Sequence, residues 1–159
     1  MTQEMKITEL QRLLLNVEGM LTKSEDEYLY HLARLDPDKG VIVEIGSYKR
    51  RSTISLAKGS MDVGGGTVFA IDPHLPIPEE GYSDHSKRQF LSNIESAGVK
   101  HHVVHLPTTS QKAVENWSQP IRLLWIDGDH RYPQVRTDFD LWEPHVIEGG
   151  IIAMHDSIR

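Results

Sequence analysis

One stretch, Val41-Ile42-Val43-Glu44-Ile45-Gly46-Ser47-Tyr48, constrains this chain more than any other. It starts as an apolar run, the pattern of a strand buried on both faces. Glu44 sits near its end, and Gly46 lets the backbone turn sharply. The residues that follow, up to Ser52-Thr53, can open a helix. A strand, a tight turn and a helix N-terminus together make a cradle for a nucleotide-like ligand. The rest of the chain reads as strands and helices placed beside this unit.

Upstream, Ile7, Leu10, Leu13, Leu14 and Val17 recur at helical spacing, with Gly19 as a stop. Ser24-Glu25-Asp26-Glu27 has the form of a capping box, opening a helix with Leu29, Leu32, Ala33 and Leu35. Downstream, a short helix is expected over 52–58 and a second strand over 67–71, ending at Asp72-Pro73. Ser83 or Asp84 caps a helix with Phe90, Leu91 and Ile94 on one face and Gly98 as its stop. A third strand is expected over 102–106 and a short helix over 110–117. A fourth strand over 121–126 ends at Asp127-Gly128-Asp129-His130. Val135, Phe139, Trp142 and Val146 predict a long helix, and Ile151–Met154 a fifth strand ending at His155-Asp156. Strands alternating with helices imply an α/β fold with a doubly wound, mostly parallel sheet. Such a sheet binds ligands beyond its carboxyl edge, where the strand order reverses.

The chain of 159 residues is long enough for one domain with a real core. The first 23 residues read as an N-terminal helical extension of it. A net charge of -6 argues against a nucleic-acid partner. The absence of cysteine removes disulfides, thiolate metal sites and cysteine nucleophiles, and fits a reducing compartment. No apolar run has the length of a membrane span, and no signal peptide is evident, so a cytoplasmic location is expected. The apolar face of the first helix is expected to cover the sheet or a second subunit, which leaves a homo-oligomer open.

Four of the five expected strands finish at acidic residues, and those ends share one edge of the sheet. A single such carboxylate is often a cap or turn former; four together suggest a site. Asp72, about 25 residues after Gly46, fits the acidic residue that accepts hydrogen bonds from ribose hydroxyls. The turn lacks the second and third glycines that a pyrophosphate needs, which disfavours a dinucleotide. Asp127 and Asp156, with His155 or Asp129, suit a hard divalent cation such as Mg²⁺. His130 is a candidate general base. Lys49, Arg50 and Arg51 read as a solvated loop, and Trp117, Trp125 and Trp142 as packing. Tyr48 and Tyr82 are candidates to line a pocket.

The segments Val43–Tyr48 with Ser52-Thr53, Ile71-Asp72-Pro73, Trp125–Tyr132 and Gly149–Asp156 resemble class I S-adenosylmethionine-dependent methyltransferases. Among these the chain is most similar to small-molecule O-methyltransferases and cephalosporin-hydroxylase-like proteins. The resemblance implies that Glu44, Gly46, Ser47 and Tyr48 surround the amino-acid end of S-adenosylmethionine and that Asp72 binds its ribose. It places Ser110 and Gln111 at the adenine and Asp127 among the cofactor contacts. It also implies a metal set of Asp127, His155 and Asp156, holding Mg²⁺ where a metal is used. His130 and Asp127 would then be the catalytic pair, methylating a hydroxyl of a small molecule such as a sugar or natural product. Arg50 stands where relatives usually carry a second glycine, and no counterpart of the family's lysine base is evident. The chain ends just after the fifth strand, so the family's last two strands are expected to be missing, through truncation or in a minimal variant. These departures motivate the alternative of a non-catalytic S-adenosylmethionine-fold binding module.

Overall fold

Buried β-branched and leucine-rich runs become five parallel strands: β1 Val41–Ile45, β2 Val68–Ile71, β3 Val103–Leu106, β4 Ile121–Ile126 and β5 Val146–Met154. They are seen in a computed structural model that describes residues 2–19, 21–48, 51–74 and 84–155. The strands lie in the order β3-β2-β1-β4-β5. The chain winds outward from β1 through β2 to β3, then returns to lay β4 on the other side of β1. The strand order therefore reverses between β1 and β4, and the sheet is doubly wound.

Among the described residues six helices cover the two faces: α1 Gln3–Leu14, α2 Lys23–Leu32, α3 Arg51–Met61, α4 Asp84–Ser96, α5 Ser110–Val114 and α6 Tyr132–Trp142. Side chains alternate across the sheet, so one chain builds two cores. Ile42, Val68, Ala70, Leu123 and Trp125 pack with buried residues of α1 to α4, among them Leu10, Leu14, Tyr30, Ile54 and Phe90. Val43, Ile45, Ile71, Leu124 and Ile126 pack with Trp142 and, at its margin, with Phe69, Trp117 and Phe139. The tryptophans are packing residues, as read from the sequence: Trp117 stacks edge-on against both Phe69 and Trp142. Leu10 and Leu14 are fully buried, so the apolar face of α1 is covered within the chain.

Some local readings change. The capping box of α2 is Thr22 with Glu25, not Ser24 with Glu27. Thr22 accepts from Glu25 N, and the Glu25 carboxylate accepts from Thr22 N at 2.6 Å. Both pairs have capping-box spacing, and only packing selects the earlier one. Leu91 lies at 39% exposure, outside the buried face that Phe90 and Ile94 share. Val146 belongs to β5, opposite Ile121, rather than to the preceding helix. Helix α6 stops at Trp142 and a 3-10 turn over Glu143–His145 follows. Pro144 has no N–H to donate to the carbonyl of Asp140, so the helical hydrogen-bond ladder stops there although Glu143 itself is still helical. Arg51, expected in a solvated loop, is instead the first residue of α3 and is nearly buried.

Candidate functional site

The carboxyl ends of the strands are level, because main-chain bonds continue past each strand. Gly46 N donates to Ile71 O, Asp72 N to Leu106 O, Asp127 N to Ile45 O and His155 N to Ile126 O. That ladder sets Glu44, Gly46, Asp72, Asp127 and His155 along one edge, around the point where strand order reverses.

Gly46 is required there on two counts. Its φ is +83°, and a Cβ on it would lie 2.4 Å from Asp127 O and 2.5 Å from Gly128 Cα. The β1 turn and the β4 turn touch at this residue. Glu44, on the face toward α3, is fully buried. Thr53 donates its hydroxyl to Glu44 Oε2. Glu44 Oε1 and Ser47 Oγ are buried and have no hydrogen-bond partner among the described residues. Burial pushes the Glu44 carboxyl up to about 7, against the pull of hydrogen bonds from Ser52 and Thr53. A buried carboxylate oxygen and hydroxyl oxygen left unsatisfied together are costly unless a ligand completes them.

Asp72 ends β2 and is buried. Its Oδ2 accepts from Ser47 N at 3.1 Å and Tyr48 N at 2.7 Å, and its Oδ1 from His74 N at 2.7 Å. The carboxylate therefore holds the cradle's own backbone, including Tyr48 at the unusual φ of +27°. Sequence reading assigned Asp72 a ligand and missed this second role. It also missed His74, whose Nε2 lies 2.9 Å from His105 Nε2. No local signal marks that contact, since the pair comes from different strands' ends.

Ser110 is buried at the start of α5 and donates to the Asp138 carboxylate of α6, while Gln111 beside it is exposed. Burial holds the Asp138 carboxyl above its ordinary range. Asp138 had been hidden in an amphipathic helix pattern.

Across the edge, Asp127 is half-buried and His155 Nδ1 lies 3.1 Å from its Oδ1. The other ring nitrogen of His155 lies 3.4 Å from Glu25 Oε1 in the first turn of α2. His130 is exposed, with its ring 5.8 Å from that of His155. One ligand atom from each of Asp127, His130 and His155 falls within 4.8 Å of the others. Asp129 turns away and pairs with Arg131, whose hydrogen bonds hold its carboxyl below the ordinary range. Asp156, named with Asp127 and His155 as a metal ligand, lies outside the described residues, as do Lys49, Arg50 and Tyr82. Among the described residues the cluster offers one carboxylate and two imidazoles, which is not the oxygen-rich set that Mg²⁺ prefers.

Residues 43–157 match the family model described as a methyltransferase domain. The fold is similar to an O-methyltransferase from Bacillus cereus solved in complex with SAH, at TM-score 0.67 and 20% identity, covering 96% of this chain and 66% of that one. It is similar to the O-methyltransferase TomG from Streptomyces achromogenes, involved in tomaymycin synthesis and solved with SAM, at TM-score 0.68 and 16% identity, covering 96% and 66%. It is also similar to the SAH-bound methyltransferase PaMTH1 from Podospora anserina, at TM-score 0.68 and 15% identity, covering 96% and 62%. The chain thus spans less than two thirds of the length of each of these proteins. With its strand order and the match over residues 43–157, the chain belongs to the methyltransferase domain family.

Proposed function

We propose that this chain binds S-adenosylmethionine and methylates an oxygen of a small hydroxylated molecule, a sugar or natural product. The observation that carries the reading is the pair of orphaned buried oxygens, Glu44 Oε1 and Ser47 Oγ, beside the glycine turn where strand order reverses. An ammonium group is the natural complement of a buried carboxylate, and the cofactor's amino-acid end carries one. When bound, S-adenosylmethionine supplies an activated methyl group on a sulfonium.

The chain's residues then divide the work. Glu44, Gly46, Ser47 and Tyr48 receive the amino-acid end. Asp72 accepts from the ribose hydroxyls. Three of its roughly four lone-pair positions already take loop N–H groups. Ribose binding must therefore share or replace those bonds, which couples cofactor binding to the order of the cradle. Ser110 and Gln111 border the adenine, and Asp127 closes the cradle from β4. The acceptor's proton leaves toward the Asp127–His130–His155 cluster, and catalysis is mainly the alignment of that oxygen with the methyl group. No step is assigned to magnesium, because the described donors do not suit it.

Calorimetric titration with S-adenosylhomocysteine tests the reading. Saturable binding is expected, weakened at least tenfold by Asp72→Ala. Absence of binding in the wild-type chain would refute it. Binding with no methyl transfer to any of a panel of hydroxylated acceptors would favour a non-catalytic binding module instead. The described residues contain no helix long and apolar enough to cross a membrane.

A further inference from the structure

We propose that His74 and His105 are positioning residues for Asp72: the hydrogen bond between their rings moors the Asp72 loop to the edge strand β3, and a second proton on the pair releases it. This deepens the assignment of Asp72 to the ribose hydroxyls and rests on that assignment.

His74 follows Pro73 beyond the end of β2 and holds Asp72 in two ways. Its N–H donates to Asp72 Oδ1 at 2.7 Å, and its ring Nδ1 lies 3.7 Å from the same oxygen. That placement is strained, since His74 sits at φ +47°, in the left-handed region. Strain of this kind persists only where the surroundings over-determine it, and here the ring supplies the anchorage. The side chain is 3% exposed, its Nδ1 lies 3.3 Å from Ser86 Oγ of α4, and its Nε2 lies 2.9 Å from His105 Nε2 of β3. Both rings pack on Phe90 of α4, with centroids 5.7 Å and 4.5 Å away. Three elements thus converge on one imidazole. Asp72 in turn accepts from Ser47 N and Tyr48 N, so the mooring extends to the cradle itself.

Proton counting makes the mooring conditional. Two imidazole nitrogens 2.9 Å apart share a hydrogen bond only if one carries the proton and the other accepts. A neutral pair meets that requirement. So does a pair with one added proton, whose charge the Asp72 carboxylate offsets. A second added proton sets two N–H groups and two charges face to face, and the bond is lost. His105 is only partly buried on an edge strand, so its ring turns to solvent and leaves His74 without β3. The other groups around the pair do not reverse this balance. Ser86 and Phe90 are neutral, and Lys87 and Arg88 of α4 are exposed, off the buried face that Ser86 and Phe90 share. His102 stands at the amino end of β3, and Glu44 two strands from His105 along one row through Ala70, each about 10 Å away. Protonation of Glu44 weakens the hold on an ammonium group as pH falls, and it does so equally in a His105 variant.

Calorimetric titration of the full chain with S-adenosylhomocysteine, at pH 8 and at pH 5, tests the pair. His105→Gln keeps a hydrogen-bonding amide near the place of Nε2 but cannot titrate. At pH 8 it should bind within about twofold of wild type, whereas His105→Ala should bind about tenfold more weakly, the loss of one hydrogen bond. His74→Asn tolerates a left-handed φ and keeps the N–H to Asp72, and should show a loss of about the same size. Between pH 8 and pH 5 wild type should lose about tenfold more affinity than His105→Gln. Equal losses in those two chains, or full affinity in His105→Ala, would overturn the proposal. The amide NMR signals of Ser47 and Tyr48, which donate to Asp72, report the mooring without ligand. Acid should shift them further in wild type than in His105→Gln, and equal shifts would overturn the mooring. That difference, found in a wild type that binds no S-adenosylhomocysteine, would uphold the mooring and refute the ribose assignment, so the two readings fail separately.

Discussion

Glu44 carries a conflict that only its surroundings reveal. In sequence it is an acidic residue near the end of an apolar strand. In the fold it is fully buried, bonded to Thr53 on one oxygen and orphaned on the other. Burial raises its carboxyl from 4.5 to about 7, so between those values the folded chain holds a proton that the unfolded chain releases. Its contribution to stability is then fully present below about 4.5, is lost as pH rises through about 7, and is flat above. Glu44→Gln should remove that slope. The ligand-free variant should gain on wild type between pH 5 and pH 8 by up to about 3 kcal/mol, read from urea midpoints at each pH. An unchanged difference across that range would show that Glu44 is not proton-linked to folding. Gly46 is the opposite case, since its importance was legible at once. Its left-handed φ and the 2.4 Å approach to Asp127 O make any side chain strained. Gly46→Ala should cost about 2–4 kcal/mol by chemical denaturation and abolish S-adenosylhomocysteine binding.

At the scale of elements, the junction of α1, α2 and α3 was not legible. Arg51 looked like one of three basic loop residues. Its Nε donates to Asp26 Oδ2 at 2.7 Å, and its Nη1 to Leu14 O at 3.1 Å and Val17 O at 3.3 Å. One guanidinium thus joins the end of α1, the first turn of α2 and the start of α3, with Asp26 wholly buried. Arg51→Met should destabilise the chain by about 3–5 kcal/mol, because it leaves a buried carboxylate unpaired. Adding Asp26→Asn should recover most of that loss in the same urea titration. If the double variant is no better than the single, the guanidinium acts through its contacts to the α1 carbonyls. The helix pair α2 and α3 is close for a separate reason. A Cβ on Gly59 would fall 2.2 Å from Tyr30 O, so the glycine is the point of approach. Helical periodicity in each segment could find both helices, but not which residues of one touch the other.

Across the whole molecule, the cradle, the Asp127–His155 pair and the N-terminal helices are mechanically joined. Asp72 holds the cradle's N–H groups, and Glu25 of α2 reaches His155 past the end of β5. Ligand binding at that edge should therefore stabilise the whole chain rather than one loop. At a hundredfold excess over its dissociation constant, S-adenosylhomocysteine should add about 2.7 kcal/mol, a rise in Tm of about 5–10 °C. Scanning calorimetry should show that rise in wild type and little of it in Asp72→Ala. A local change in the cradle without a shift in Tm would contradict the coupling.

The sequence alone determined the fold class, the order of strands and helices, and the set of strand-end residues Glu44, Gly46, Asp72, Asp127 and His155. These are local or periodic properties: apolar runs make buried strands, amphipathic spacing makes helices, and glycine marks the sharp turn. The topology rules for parallel sheets then bring those strand ends to one edge. Tertiary structure alone decided which atoms meet there. It left Glu44 Oε1 and Ser47 Oγ without partners, tied Asp72 to the loop, and paired Asp138 with Ser110. It also drew His130 beside Asp127 and His155, and set Glu25 behind His155. Those contacts join residues distant in sequence, and their protonation depends on burial. Neither distance across a sheet nor exclusion of water is written in the pattern of any one segment.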